Sequence, residues 1–349
     1  MSQRTNELKP MGIGDILDYS IEVFKSNFKI FALLTLILYL PWVFVESLIT
    51  SSVLGNTLQI YENIFKATIE GNYSGFGEVA SNPYNSLILS LLSNLMSFLS
   101  MGYGLTIKLV YNACIMKIVY DYVVNKQKEV FSFENIKNKI KKGFSFMPRM
   151  MGNAFLFNLI FYGTYYISSF IAIFIIIIGL LVSGFFIETI PTNVMIALGI
   201  IFSIVLILAA LFCTAFFWVK LIFGANAVVS ENASVFDSIK RSWQLSKGYF
   251  WHIALTCLLG FLLFFVSGNM LTAASMFVSV VNNALFVLLF TVTSIFNAFL
   301  YPFIIIFITL TFINIKIRKE GLDLEVKIRS MIQKQFEANN SVGGEKFND

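Results

Sequence analysis

Apolar residues occur in long uninterrupted stretches along this chain, and charged residues are confined to the segments between them. The longest stretch, residues 248–315, contains 68 residues and no Asp, Glu, Lys or Arg. A water-soluble domain would need polar side chains on the outward face of such a segment. A bilayer does not, because its hydrocarbon core is about 30 Å thick and a helix crosses it with roughly 20 apolar residues. The pattern therefore predicts an all-α integral membrane protein.

Six of these stretches are predicted to be transmembrane helices. The last two share the 68-residue stretch, and the turn between them is expected within residues 267–283. The third is expected as one tilted helix with a cytoplasmic extension, because two crossings there would invert everything that follows. The predicted spans are residues 30–49, 86–109, a helix within 150–187, 193–217, 250–269 and 281–308.

Basic residues are concentrated on one side of this six-span arrangement. Nearly all Lys and Arg precede span one, follow span six, or lie between spans two and three and between spans four and five. The connections after spans three and five contain none, and the connection after span one contains only Lys66. Because cytoplasmic segments of membrane proteins are enriched in Lys and Arg, both termini are predicted to be cytoplasmic. Charged residues make up only 13% of the chain, about half of the usual share.

An amphipathic segment precedes each odd-numbered span. In the first, residues 13–29, apolar and charged positions fall on opposite faces of a helix. The third, residues 235–247, begins with Ser234 and Asp237, which form a capping box with Asp in place of Glu. The middle segment, residues 134–143, is more basic and aligns poorly with the others. Aligning the first and third pairs Asp15 with Asp237, Ser20 with Ser242, Lys25 with Lys247 and Phe28 with Phe250.

A second similarity links the inner ends of the even-numbered spans. Residues 108–113, KLVYNA, parallel residues 220–225, KLIFGA. Together the similarities predict three parallel repeats, each an interfacial amphipathic helix followed by a two-span hairpin. The repeat units are about 12–125, 131–230 and 233–319, and a cytoplasmic C-terminal helix and flexible tail follow at 320–349. Whether the amphipathic helices contact lipid or the helical bundle stays open.

Five lysines are candidate contacts for lipid head groups. Lys108 and Lys220 lie near the cytoplasmic ends of their spans, where a lysine can extend its ammonium to the head groups. Their equivalence in the repeat also leaves open a paired role in holding a phosphate. The basic loop before span three contributes Lys137, Lys141 and Lys142, which contact anionic head groups or serve only to set the topology.

Other polar residues give little indication of chemistry. Pro41 and Pro302 are predicted to kink spans one and six, either along a substrate path or for packing. Glu46 is expected at the outer interface, and His252 is expected to be structural. The sequence has no P-loop, no HExxH motif, no paired carboxylates in a span and no nucleophile–base pattern. The three cysteines show no metal-binding spacing. No enzymatic activity and no cofactor or metal are therefore expected.

Three segments lie in order at predicted membrane boundaries: MGIGDILDYSIEVFKSNFKIFALLTLILYLP, VVSENASVFDSIKRSWQLSKGYF and INIKIRKEGLDLE. Together they resemble the membrane domain of the glycerophosphoryl diester phosphodiesterase membrane-domain family of bacteria, over roughly residues 10–330. The resemblance implies a bacterial membrane module, which in that family either precedes a phosphodiesterase barrel or stands alone. Only about 35 residues, 315–349, remain after the apolar run of span six, against roughly 200 or more for a barrel, so phosphodiesterase activity is not expected.

The sequence thus predicts a non-enzymatic module of the bacterial cytoplasmic membrane that acts as a scaffold, an accessory subunit or a lipid-binding protein. The alternative is a transporter or exporter of an amphiphilic or lipid-like substrate, and a lipid-modifying enzyme ranks third. The expected partner is membrane lipid, while partner membrane proteins cannot be identified. Nucleic acid is not expected, because the basic loops lack regularly spaced aromatic residues.

Overall fold

The computed structural model describes residues 9–69, 83–126, 131–185, 192–279, 282–322, 324–326, 328 and 331–332. Over these residues the chain is helical and has no β-strand, which confirms the predicted all-helical class. The chain divides into two compact units. Unit 1 comprises Met1–Met147 and Leu255–Asp349, and unit 2 comprises Pro148–Ala254.

Helices in unit 1 and unit 2 follow one another with short breaks, and the unit boundaries fall inside two long helices. In chain order the elements are α1 Ile13–Ser26, α2 Phe28–Leu34, a π-helical turn Thr35–Tyr39, α3 Leu40–Ile69, α4 Pro83–Gly104, α5 Ile107–Val123, α6 Phe133–Phe185, α7 Thr192–Leu221, α8 Gly224–Glu231, α9 Val235–Ser246, α10 Phe250–Ser279 and α11 Asn283–Glu320.

Five segments of the described chain are long and apolar enough to cross a bilayer, with mean hydropathies between 2.0 and 2.8. Many of their large apolar side chains are exposed, which suits contact with lipid tails as apolar as the side chains themselves. The chain is therefore a helical membrane protein. The segments are Phe28–Gly55, Phe133–Gly179, Ala197–Glu231, Phe250–Met276 and Asn283–Glu320.

The second predicted span, residues 86–109, has no counterpart among these five. It coincides with α4, which ends at Gly104 and is separated from α5 by a break at Leu105 and Thr106. Thr106 has φ −122° and ψ −93°, outside the helical region, so the predicted end of the span is wrong. At 1.5 Å per residue the 22 residues of α4 extend about 33 Å, enough for a bilayer. The count of six spans stays a prediction.

The break between α10 and α11 falls at the C-terminal end of the predicted range, residues 267–283. Helix α10 continues to Ser279, and α11 begins at Asn283 after its N-cap, Asn282, whose side chain accepts a hydrogen bond from the Leu285 N–H at 3.2 Å. Gly268 does not end α10 because it is a contact point with α11. A Cβ at Gly268 would lie 2.9 Å from the side-chain oxygen of Asn297.

The middle amphipathic segment, residues 134–143, is not a separate helix. It forms the first part of α6, which is 53 residues long and includes Pro148. A proline inside a helix removes one backbone hydrogen bond, and α6 nevertheless continues on both sides of it. The expected helical extension before span three is therefore present, and it is continuous with the span rather than a separate interfacial helix.

Pro41 follows a π-helical turn, and the kink predicted at this position stays a prediction. In the π-helical turn just before it, the Leu40 N–H reaches the Thr35 carbonyl, five residues back. The wider π turn leaves room near a residue that cannot donate a backbone hydrogen bond. Pro302 is buried inside α11, which continues through it as one helix.

Helix α1 packs against α11, the central helix of unit 1. Asn314 on α11 accepts a hydrogen bond from the Met11 N–H at 2.8 Å and donates one to the Met11 carbonyl at 3.1 Å. The pattern of residues 13–29 predicts Ile21 and Phe28 on the apolar face, but both are exposed. The face that is buried is therefore rotated slightly from the predicted apolar face. The fully buried residues of α1 are Ile16, Ser20 and Val23.

Helix α9 of unit 2 begins with the predicted cap. The Ser234 hydroxyl accepts a hydrogen bond from the Asp237 N–H at 3.3 Å and donates to the Asp237 carboxylate at 2.6 Å. In α1 the carboxylate of Asp15 accepts from the Gly12 N–H at 3.1 Å. The aligned aspartates Asp15 and Asp237 thus occupy the same position in the first turn of their helices. Both helices pack on helices of their own unit.

Candidate functional site

Lys108, the second residue of α5, lies over two tyrosine rings in unit 1. Its Nζ is 5.0 Å from the ring centroid of Tyr301 on α11 and 5.8 Å from that of Tyr39 in the π turn. Among the residues that the structure describes, no carboxylate lies within ion-pair distance of this ammonium. The electron-rich ring faces attract the charge instead.

Tyr39 is the centre of an aromatic cluster in unit 1. Its ring centroid lies 5.0 Å from Tyr301, 5.3 Å from Tyr111 and 6.4 Å from Tyr103. The indole of Trp42 stacks on Tyr103 at 5.0 Å. These rings come from five elements in three distant parts of the chain, residues 39–42, 103–111 and 301, so no local pattern predicts the cluster.

Hydroxyl groups of the cluster bind to the helix around the π turn. The Thr35 hydroxyl donates to the Phe31 carbonyl at 2.8 Å, so the Tyr111 hydroxyl, 2.7 Å away, donates to Thr35. The Tyr103 hydroxyl donates to the carbonyl of Leu38 at 2.8 Å. Inside a membrane every such group needs a protein partner, and these bonds fix the positions of the rings.

A cleft of about 650 Å³ lies between α3 and α4, one helical turn from the aromatic cluster. Its most polar group is the partly buried Glu46, whose Oε1 accepts a hydrogen bond from the Ser100 hydroxyl at 2.7 Å. Over the described ranges of the chain, Ser100 is the only side chain that donates to this carboxylate. The remaining lining is apolar with a few hydroxyls and includes Ile49, Val53, Met96, Thr50, Ser93 and Ser97.

Helical spacing explains how this lining forms. Glu46 and Thr50 are four residues apart on α3, and Ser93, Ser97 and Ser100 are four and three residues apart on α4, so each set shares one face. Glu46 was predicted to lie at the outer interface, and its hydrogen bond with a serine of α4 was not predicted. The serine spacing in α4 is the signal that could have indicated a polar face opposite a carboxylate.

Lys220 has a different environment, in unit 2. Only 7% of its surface is exposed, and its Nζ lies 5.5 Å from the Phe216 ring centroid, 5.6 Å from that of Trp243 and 3.4 Å from the Ser246 carbonyl. It precedes the break between α7 and α8, whereas Lys108 follows the break between α4 and α5. Its contacts hold α9 against α7, so the two lysines are equivalent in sequence but not in structure.

The predicted basic surface lies on the first turns of α6. Lys139 points inward, 3.6 Å from the carboxylate of the buried Asp121, while Phe133 and Phe144 are exposed beside the outward-facing lysines. Exposed lysines next to exposed aromatic rings are typical of a surface that meets the lipid interface. The outward-facing lysines, which have no ion-pair partner among the described residues, are Lys137, Lys141 and Lys142.

Nucleophilic and metal-binding chemistry finds no support in the part of the chain that the structure describes. Burial raises the pKa of the Cys114 thiol to about 12, and its Sγ donates a weak hydrogen bond to the Lys139 carbonyl at 3.4 Å. The reactive thiolate is therefore disfavoured there. No three His, Cys, Asp or Glu side chains of the described residues are arranged to hold a metal ion.

Comparison with known proteins adds no relative: no protein-family model, no curated protein and no solved structure matches this chain.

Proposed function

We propose that this protein is a non-enzymatic membrane module that binds a lipid or lipid-like amphiphile in the cleft between α3 and α4. The observation that carries the proposal is the composition of that cleft. Its apolar walls, such as Ile49, Val53 and Met96, suit an acyl chain, and Glu46 offers one polar contact for a head group. A volume of about 650 Å³ lies in the usual range for small-molecule sites, roughly 300–1,000 Å³.

The proposed setting is a bacterial cytoplasmic membrane crossed six times, with α4 as the second span and both termini inside. The concentration of Lys and Arg in the connections on one side supports this orientation. Lys137, Lys141 and Lys142 then face the cytoplasmic head groups from the start of α6. A repeated architecture is supported by the matching first turns of α1 and α9, and by α2 and α10, which begin at the aligned Phe28 and Phe250.

A scaffold or accessory-subunit role fits the same arrangement, with the bound lipid as a structural component. The resemblance to the bacterial membrane-domain family supports a module of this kind. It does not carry the phosphodiesterase activity with it, because that activity belongs to a separate barrel.

Transport of the amphiphile is the second candidate function. One observation favours it: the π-helical turn and Pro41 lie on the same span as the cleft, close to Lys108 and its tyrosines. Such interruptions of a helix occur frequently at functional sites. Purified protein in liposomes would then move a fluorescent lipid between leaflets, and a binding module would not.

The proposal is tested by native mass spectrometry of the full chain, extracted in mild detergent from its own membrane. Ser97→Trp places a large ring in the cleft and is expected to abolish a retained lipid. Leu95→Trp, at an exposed position on α4 outside the cleft, is the matched control and is expected to retain it. Absence of lipid in the wild type, or equal retention by both variants, would refute binding in the cleft.

A further inference from the structure

The hydrogen bonding of Glu46 indicates what kind of head group the cleft accepts. One carboxylate oxygen, Oε1, accepts a hydrogen bond from Ser100 at 2.7 Å. In the described part of the chain no other side chain donates to this carboxylate, although a carboxylate has about four acceptor positions. The cleft therefore presents unused acceptor capacity, and a ligand with N–H donors can use it.

Two aromatic residues lie one helical turn beyond the cleft lining, on the side of this carboxylate. Trp42 is one turn before Glu46 on α3, and Tyr103 is one turn after Ser100 on α4. Their rings stack at a centroid distance of 5.0 Å. A carboxylate near the ring faces of Trp and Tyr is a combination that recognises organic cations, because both the carboxylate and the ring faces are electron-rich.

The cleft lining has no positive charge of its own. None of its residues is Lys or Arg, and Lys108 contacts the rings of Tyr39 and Tyr301 rather than lining the cleft. An anionic head group would find no counter-ion there and would be repelled by Glu46. A neutral hydroxyl head group would form a hydrogen bond without the added charge attraction.

From these observations we infer that the cleft selects an amphiphile with a cationic amine head group, bound to Glu46 one helical turn from Trp42 and Tyr103. The apolar chain of the amphiphile lies along Ile49, Val53 and Met96. This inference rests on the proposed lipid-binding function and adds the chemical class of the ligand to it.

The test uses three probes with the same 14-carbon chain and different head groups: tetradecylamine, tetradecanol and tetradecyl sulfate. Each is titrated into the delipidated full chain in an uncharged detergent, and bound probe is counted by native mass spectrometry. Because a charge-assisted hydrogen bond is about twice as strong as a neutral one, the wild type is expected to bind the amine about tenfold more tightly than the alcohol. The sulfate is expected to bind more weakly than either.

Glu46→Gln preserves the shape of the side chain and its acceptor for Ser100 but removes the charge. We expect it to lose the preference for the amine while alcohol binding stays within about twofold of wild type. Glu46→Asp keeps the charge and is expected to keep a preference. Glu134→Gln makes the same chemical change on an exposed residue of α6 and is the matched control. Unfolding midpoints of all variants establish that they are folded.

Two outcomes separate this inference from the proposed function. If Ser97→Trp blocks all three probes but Glu46→Gln leaves their ranking unchanged, the cleft binds amphiphiles and the preference for amines is wrong. If Ser97→Trp and Leu95→Trp bind all probes as the wild type does, the cleft is not the site, and both proposals fall.

Discussion

Glycine residues mark the places where two helices of unit 1 come closest. A Cβ built on Gly260 of α10 would overlap the ring of Phe307 on α11, and Phe307 is 1% exposed. A Cβ on Gly143 would lie 2.6 Å from Sγ of Cys114. By contrast, Gly199 on α7 has no atom within 4 Å of such a Cβ. The sequence alone does not distinguish Gly260 from Gly199, because both lie in apolar helical regions.

Gly260→Ala is therefore expected to destabilise the protein. The added methyl group overlaps a buried ring that has no free space to enter, and overpacking of this kind costs about 1–3 kcal/mol. Gly199→Ala, the control, is expected to leave the unfolding midpoint unchanged or slightly higher, because Ala has the better helix propensity. Thermal unfolding in detergent measures both, and equal midpoints would show that α10 and α11 are not this close at Gly260.

Serine residues of α9 form hydrogen bonds with the backbone at the end of α7. Ser238, Ser242 and Ser246 are four residues apart on α9, and all three are fully buried. Ser242 donates to the Lys220 carbonyl at 2.7 Å and accepts from the Phe223 N–H at 3.1 Å. Both are backbone groups at the end of α7 and in the α7–α8 break. The amphipathic pattern placed α9 correctly, but it did not indicate that the buried face would be made of hydroxyl groups.

Ser242→Ala is expected to lower the free energy of unfolding by about 1–3 kcal/mol, because it removes two buried hydrogen bonds, one to the Lys220 carbonyl and one from the Phe223 N–H. Ser230→Ala is the matched control, since Ser230 only donates to a carbonyl within its own helix. Denaturant unfolding in detergent, followed by tryptophan fluorescence, reports the difference. A cost no larger than that of the control would contradict this role of Ser242.

Helix bounds and the candidate site differ in how far local sequence predicts them. The start of α10 at Phe250 and the cap at Ser234 were predicted, because length, apolar run and capping residues are local properties. The predicted end of span five, residue 269, lies ten residues before the end of α10 at Ser279, because α10 continues past the apolar run through a packing contact of Gly268 with Asn297. Glu46 was identified as a membrane residue, but the cleft that contains it was not.

The distribution of basic residues among the connections is a property of the whole molecule. Only with six spans do the basic connections all lie on one side of the membrane, whereas five segments of the described chain qualify as spans by length and composition. The two arrangements differ in the role of α4. With six spans, the N-terminus, Lys137 and the C-terminus share one side, whereas five spans place Lys137 opposite the N-terminus.

Cysteine labelling decides between these arrangements. In a Cys213→Ser background, Lys137→Cys is expected to react with a membrane-impermeant maleimide only from the cytoplasmic side, and Asn282→Cys only from outside. The remaining thiols are buried, and burial raises the pKa of Cys114 to about 12, so background labelling at pH 7 is expected to be low. Labelling of Lys137→Cys from outside would refute α4 as a span.

The sequence by itself determined that the chain is helical and suited to a membrane, because apolar length and charge position act through each segment separately. It also determined where several helices begin, because capping is local. Only the tertiary structure brought the Ser100 hydroxyl to Glu46, 54 residues away, and Lys108 to the rings of Tyr39 and Tyr301. Such contacts depend on which faces of separate helices meet, and that choice is made by packing between distant residues rather than by local pattern.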